Sequence, residues 1–284
     1  MNANRGKKIS EGGCSEVLEW DDSDKILKLA RANTSRDAVR REYDNHRIAW
    51  NLGLSVPQPF EHVDLDGRPG LVSERIHGET LMERFIHQAL NRPASDNDSA
   101  GKDAHPDVRL TARILSEIHA RSHTNLPSQR EQIKHGILGA GYLHPAEKEA
   151  ALTLLDRLPL KRQMCHGDPN PRNILMRDGR AVMIDWMNAS LGNPEADLAE
   201  YIIMIRYAVL PSSMPQEVID YLNSSRESMI HTFIDEYTSL TGISYDEIDP
   251  WITPVAARKL SADAISEDEK NLLVGEIRRR LSRQ

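Results

Sequence analysis

Asp178-Gly179, flanked by Asn173-Ile174-Leu175-Met176 and Ala181-Val182-Met183-Ile184, constrains this chain more tightly than any other stretch. Asp-Gly between two apolar runs specifies a two-residue β-hairpin turn. Folding the chain about positions 178 and 179 sets residue 173 opposite residue 184. Asn173 and Asp185 therefore emerge side by side at the open end, and Asp168 lies on the loop just before them. Two hard oxygen donors beside a third carboxylate suit Mg²⁺, which binds through one or two side chains plus substrate phosphates. The segment outlines a phosphoryl-transfer site.

At 284 residues the chain has room for one large domain or two lobes, and for a sizeable core. Its 39% hydrophobic and 28% charged residues are ordinary for a globular protein. A formal charge of −7 argues against nucleic acid or an acidic membrane as the main partner. Most of the acidic excess falls after residue 77. That favours a cationic small substrate, although a solvated acidic face is the simpler reading. Cys14 and Cys165 form no CxxC pair and no disulfide framework, which suits a reducing cytosol. The first ten residues lack an apolar signal-peptide core. The longest apolar run, Tyr201 to Leu210, is short and interrupted by Arg206, which does not suit a membrane span. The expectation is a cytoplasmic protein, monomeric or homodimeric, with no nucleic-acid or membrane partner.

Residues 1–77 read as a small α+β lobe. Strands are predicted at 15–20 and 25–29 around an Asp-Asp-Ser-Asp turn, and at 60–65 and 70–76 around Asp66-Gly67. Between them Thr34 with Asp37 predicts a capping-box start for a helix that Gly53 stops. Val39, Tyr43 and Trp50 give that helix an apolar face, with Glu42 alongside. Residues 78–284 are mostly helical, with helices predicted at 79–90, 107–123, 145–157, 195–209 and 215–240. The last has Pro215 at its start, Gly242 as its stop and a face of Val218, Leu222, Met229, Phe233, Tyr237 and Leu240. The polar stretch NRPASDNDSAGKDAHPD reads as an exposed loop, and the basic tail GEIRRRLSRQ as a frayed helix. The division implied is 1–77 for nucleotide binding and 78–284 for catalysis and acceptor binding.

Several further residues carry possible chemistry. Gly12 and Gly13, with Ser15 after them, sit in a turn between strand candidates where backbone N–H groups can approach phosphate. The turn is neither GxGxxG nor a P-loop, since Ser10 and Ser15 stand where glycines would be. By itself a plain hairpin turn explains it better. Lys28 in the next strand and Glu42 on the helix have the order in which kinase-like lobes orient ATP. His166 beside Asp168 admits a metal-ligating HxD reading, but imidazole suits Mg²⁺ poorly and the neighbourhood supplies Asn173 and Asp185 in place of the further ligands such a site needs. His166 therefore reads as bracing its loop. His119 and His123 stand at i, i+4 on one predicted helix, and core packing is preferred to zinc. Cys14 reads as inert. Asp197 opens a helix, where capping and the helix dipole favour a carboxylate, with substrate contact as second reading.

With these residues laid out, the chain resembles the aminoglycoside phosphotransferase and choline kinase-like family, whose fold resembles eukaryotic protein kinases. HGDPNPRN followed by MIDW is similar to the family's HGD-x4-N and IDW elements. REYDNHRIAW, GLVSERIHGETL and EIHARSH resemble its early helix, interlobe hinge and histidine-bearing helix. The resemblance implies a two-lobed α+β fold, with a β-rich N-lobe and a larger helical C-lobe. It further implies Asp168 as catalytic base, Asn173 and Asp185 as Mg²⁺ ligands, and Lys28 on the nucleotide phosphates. Glu42 would orient Lys28, and backbone near Glu74–Ile76 would hold the base of ATP or GTP.

Only eleven residues separate Asp185 from Asp197, which leaves little room for an extended peptide-docking segment. The expected acceptor is a small hydroxyl compound, such as an aminoglycoside, amino alcohol or sugar. Two rivals stand beside that reading. A catalytically silent nucleotide-binding module would keep the fold, although Lys28, Asp168, Asn173 and Asp185 are all present. A metal-dependent hydrolase built on His166 and Asp168 is the second.

Overall fold

The computed structural model describes residues 5–91, 105–262 and 265–283. The chain begins with β1 (Arg5–Glu11), β2 (Ser15–Trp20), β3 (Asp22–Ala30), α1 (Arg36–Asn51), β4 (Pro59–Leu65), β5 (Arg68–Glu74) and β6 (Glu79–Thr80). It continues with α2 (Leu81–Leu90), α3 (Pro106–His119), α4 (Gln129–Gly139), α5 (Pro145–Arg157) and β7 (Gln163–Cys165). The predicted hairpin follows as β8 (Ile174–Arg177) and β9 (Arg180–Met183), then β10 (Ser190–Gly192). The remainder is α6 (Pro194–Tyr207), α7 (Gln216–Thr241), α8 (Tyr245–Ile248), α9 (Ile252–Lys259) and α10 (Glu267–Leu281). The chain folds into two compact units, Met1–Thr80 with Arg172–Ala189, and Leu81–Pro171 with Ser190–Gln284.

The first unit is built on a five-stranded antiparallel sheet of order β1-β2-β3-β5-β4. Side chains alternate across a strand. Leu18 and Trp20 of β2 and Leu27 and Leu29 of β3 therefore share one core with Val72 of β5. Lys28, between two core leucines, falls on the opposite face. Both predicted Asp-Gly turns form, with positive φ at Asp66 and Gly67 and at Asp178 and Gly179. This is the geometry a two-residue turn needs to match strand twist. Ile174 pairs with Met183 and Arg177 with Arg180, the register expected from the sequence.

Helix α1 departs from expectation in two details. Its N-cap is Ser35, whose hydroxyl accepts from the Ala38 N–H, while Thr34 donates to the Cys14 carbonyl. Its buried stripe is Val39, Glu42, Asn45, His46 and Ala49, and Trp50 is exposed. The helix thus turns a partly polar face inward.

The second unit is helical apart from the short β7–β10 ladder. Helix α7 keeps Val218, Leu222, Met229, Phe233 and Tyr237 buried and ends at Gly242, though Leu240 is exposed. Helix α3 stops at His119, four residues short of the predicted end, so His119 and His123 do not share a helix face. The Arg121 carbonyl accepts from Met164 N–H instead of extending the helix. The tail is no frayed end. α10 is capped by Ser266 and tied by Arg278 to Glu147 and by Arg280 to Asp249. The polar segment 92–104 lies outside the described residues. Among the described residues, no helix is long and apolar enough to cross a membrane.

Candidate active site

In the first unit, Lys28 of β3 donates to Glu42 Oε1 of α1 at 2.6 Å and lies 3.0 Å from Asp185 Oδ1. Glu42 is only 5% exposed at its side chain, whereas Asp185 is 38% exposed. Burial opposes charge on Lys28, but the Asp185 and Glu42 carboxylates outweigh it and hold the ammonium above its usual range. Glu42 is pushed up to about 7, chiefly by burial; the Lys28 charge pulls it down and the Asp185 charge raises it.

Asp185 is held by its neighbours. It adopts a left-handed backbone with φ 64°, a conformation that aspartate tolerates better than most non-glycine residues. The next residue, Trp186, is buried, and its carbonyl accepts from Asn45 Nδ2 of α1 at 3.1 Å. The hairpin behind it is latched by Ser55, whose hydroxyl donates to the Ala181 carbonyl and whose carbonyl accepts from Met183 N–H. The Asn173 carbonyl accepts from Ile184 N–H at 2.9 Å, which places Asn173 opposite Ile184, one residue from Asp185. Asn45 and Ser55 were not singled out from the sequence. Asn45 lies three residues after Glu42, a spacing that could have flagged it.

Gly12, Gly13 and Ser15 form the β1–β2 turn, in which Gly12 N–H donates to the Ser15 carbonyl. Asn33 and Thr34 donate to the carbonyls of Gly13 and Cys14, fastening the turn from behind. At the end of β5, the Glu74 N–H goes to the Gln58 carbonyl, and its side chain takes Arg177 and the Gln58 N–H. Ile76 follows in irregular backbone.

In the second unit, Asp168 sits in a tight loop governed by Asp197. Buried Asp197 accepts from His166 N–H at 2.6 Å and from Gly167 N–H at 3.0 Å. His119 Nε2 meets the same carboxylate at 3.3 Å, while its Nδ1 accepts from the Tyr237 hydroxyl at 2.7 Å. Asp168 N–H donates to His166 Nδ1 at 3.3 Å, so His166 braces the loop as expected. Gly167 has φ 80°, open to glycine without strain. Buried Cys165 approaches His119 and Asp197, but these carboxylate and imidazole atoms are already engaged within the hydrogen-bonded loop support.

Sequence reading also missed Glu200 of α6, a buried carboxylate that takes Arg258 at 2.6 Å and Lys259 at 2.8 Å. Much of the acidic excess of this unit is tied up likewise, as in Glu236 with Arg109 and Arg113, and Glu276 with Arg279 and Arg280.

The sheet-plus-helix first unit and the helical second unit define a protein-kinase-like fold. Aminoglycoside phosphotransferase APH(4)-Ia matches with a TM-score of 0.66 and 15% identity, over 99% of this chain and 94% of that one. Choline kinase LicA from Streptococcus pneumoniae matches at 0.62 and 17%, over 100% and 95%. APH(2'')-Ib with ADP bound matches at 0.52 and 16%, over 100% and 94%. No curated protein matches the chain by sequence. The profile of the phosphotransferase enzyme family matches residues 11–229, and the chain belongs to that family.

Proposed function

We propose that this chain transfers the γ-phosphoryl group of ATP or GTP to a hydroxyl of a small acceptor. The observation that carries the reading is the Lys28–Glu42–Asp185 arrangement, an ammonium held between a buried and a half-exposed carboxylate. It is the means by which kinase-like enzymes present a lysine to nucleotide phosphates. Family membership supports it, as does the likeness to a structure of APH(4)-Ia holding ADP and hygromycin B.

The donor set suits Mg²⁺. Asn173 and Asp185 offer hard oxygens, and Asp185 is half-exposed beside Lys28. Bound there, Mg²⁺ would neutralise charge developing on the triphosphate oxygens. Lys28 would bind phosphate oxygens, with Glu42 fixing its direction. Gly12, Gly13 and Ser15 would offer backbone N–H groups to the phosphates. Because the Glu74 N–H is already used, the nucleotide base would rely on the Glu74 carbonyl and the backbone of Ile76. Asp168, on its braced loop, would accept the proton leaving the acceptor hydroxyl. Such loose transition states need mainly positioning and charge stabilisation. From Asp185 the chain passes through a single helical turn and β10 directly into α6, with no extended segment on which to dock a peptide. This supports a small acceptor, such as an aminoglycoside, amino alcohol or sugar.

The test is a panel of amino sugars, amino alcohols and sugars, scored for acceptor-dependent release of ADP or GDP with Mg²⁺. One acceptor should turn over, and Asp168→Ala should abolish turnover while sparing nucleotide binding. Nucleotide binding without transfer across a broad panel would instead point to the silent binding module.

A further inference from the structure

The first unit holds an open cavity that no step of the proposed reaction uses. Its volume is about 470 Å³, and Arg31, Ala32, Thr34, Arg36, Gly67 and Arg68 are among its walls. That volume lies in the range that accommodates a small molecule. Three guanidinium groups stand around it, with side-chain exposures of 41%, 58% and 39% for Arg31, Arg36 and Arg68.

Each guanidinium is oriented by the protein. Arg31 meets Glu11 at 2.8 Å, Arg68 meets Glu16 at 2.6 Å, and Arg36 pairs with Asp64. Arg36 also donates to the Gly67 carbonyl at 2.7 Å, and Arg68 Nε to the Ala30 carbonyl at 2.9 Å. A guanidinium has five N–H groups, so a partner on one edge fixes the fork and leaves other N–H groups for a ligand. The carboxylates offset the net charge, so recognition here rests on fork geometry, which suits the paired oxygens of phosphate as well as of carboxylate.

The cavity wall also carries the glycine-rich turn. Arg31 N–H and Thr34 Oγ1 both donate to the Cys14 carbonyl at 2.9 Å, and Asn33 Nδ2 donates to the Gly13 carbonyl at 3.1 Å. A ligand gripped by Arg31 on one side and by Arg36 and Arg68 on the other would hold residues 31–36 still. That segment would in turn hold Gly13 and Cys14.

We propose that this cavity is a second binding site, distinct from the substrate sites, for a small phosphate-bearing molecule whose occupancy stiffens the Gly12-Gly13 turn. Its effect on nucleotide affinity rests on the kinase reading; the binding itself does not. The experiment adds inorganic phosphate, phenyl phosphate or chloride at matched ionic strength to protein saturated with Mg·ADP, so the nucleotide site is filled. Amide exchange is followed at residues 11–14. Both phosphate species should slow exchange by about fivefold relative to chloride, and should shift the KM for ATP by about as much, the scale of ordinary site-to-site coupling. If only inorganic phosphate acts, the ligand is the free anion; if phenyl phosphate acts as well, a phosphate ester is accepted. The double variant Arg36→Gln with Arg68→Gln should lose the effect. Ala32→Trp, which adds a large side chain to the cavity wall and removes none of the ion-pairing groups, should lose it too. Equal slowing by chloride, or slowing that persists in Ala32→Trp, would overturn the proposal. Because exchange is read without turnover, failure to find an acceptor would leave this result standing.

Discussion

Lys28 Nζ lies 3.0 Å from Asp185 Oδ1, joining the third strand of the sheet to the residue that ends the late hairpin. The contact depends on α1, since Glu42 aims Lys28 and Asn45 holds the carbonyl of Trp186. One helix therefore sets both ends of the ion pair.

Replacing Lys28 by Met removes the ammonium and leaves Glu42 buried without its partner. The expected outcome is a fall in kcat/KM for ATP of about 100- to 1,000-fold, the usual cost of a lost charge-stabilising donor. Steady-state kinetics with the acceptor found by the panel would check it, and an unchanged value would remove Lys28 from the site.

Asp197→Ala strips the acceptor from two backbone N–H groups, those of His166 and Gly167. Each buried unsatisfied donor costs about 1–3 kcal/mol, so stability should fall by roughly 3 kcal/mol. Turnover should fall with it, because the loop carrying Asp168 loses its brace. Urea denaturation beside kcat measurement separates the two effects.

Glu200 is the counter-charge of both Arg258 and Lys259. Burial opposes its ionisation, yet Lys259 and Arg258 pull its carboxyl down to about 2. The stabilisation is therefore present above the ordinary carboxylate range near 4.5 and disappears as pH falls towards 2. Glu200→Gln should cost about 3 kcal/mol at neutral pH by leaving two cations without their anion. Its deficit should shrink in acid, and a deficit that does not vary with pH would contradict the pairing.

His46 is buried, with Nε2 donating to the Pro57 carbonyl at 2.7 Å. Burial pushes it from 6.5 down to about 4, the Lys28 charge adding to the shift and the Pro57 bond opposing it. The unfolded chain thus takes up a proton that the folded chain refuses. Stability should decline as pH drops from about 6.5 to 4, by up to about 3 kcal/mol. His46→Gln should flatten that part of the profile, measured by denaturant midpoints at several pH values.

The hairpin was legible because its information is local. Asp-Gly between apolar runs fixes both turn type and register, and the pairing of Ile174 with Met183 followed from counting. Lys28 and Glu42 were legible as an ordered pair. The start of α1 was misread because Thr34 and Ser35 are both capable caps, and the hydroxyl of Thr34 is engaged by the Cys14 carbonyl of a distant turn. Helix α3 was drawn too long because nothing local announces that the Arg121 carbonyl will bond to Met164.

By itself the sequence determined the strands β2 to β5, the late hairpin, the two Asp-Gly turns and the family, since periodicity, turn residues and motif spacing all act over short range. Tertiary structure alone decided that residues 172–189 pack with the first 80, that Asn45 and Ser55 hold the hairpin in place, and that Asp197 and Glu200 are saturated. Those outcomes depend on hydrogen bonds and ion pairs between residues far apart in the chain, and no local pattern encodes which donor will reach which acceptor.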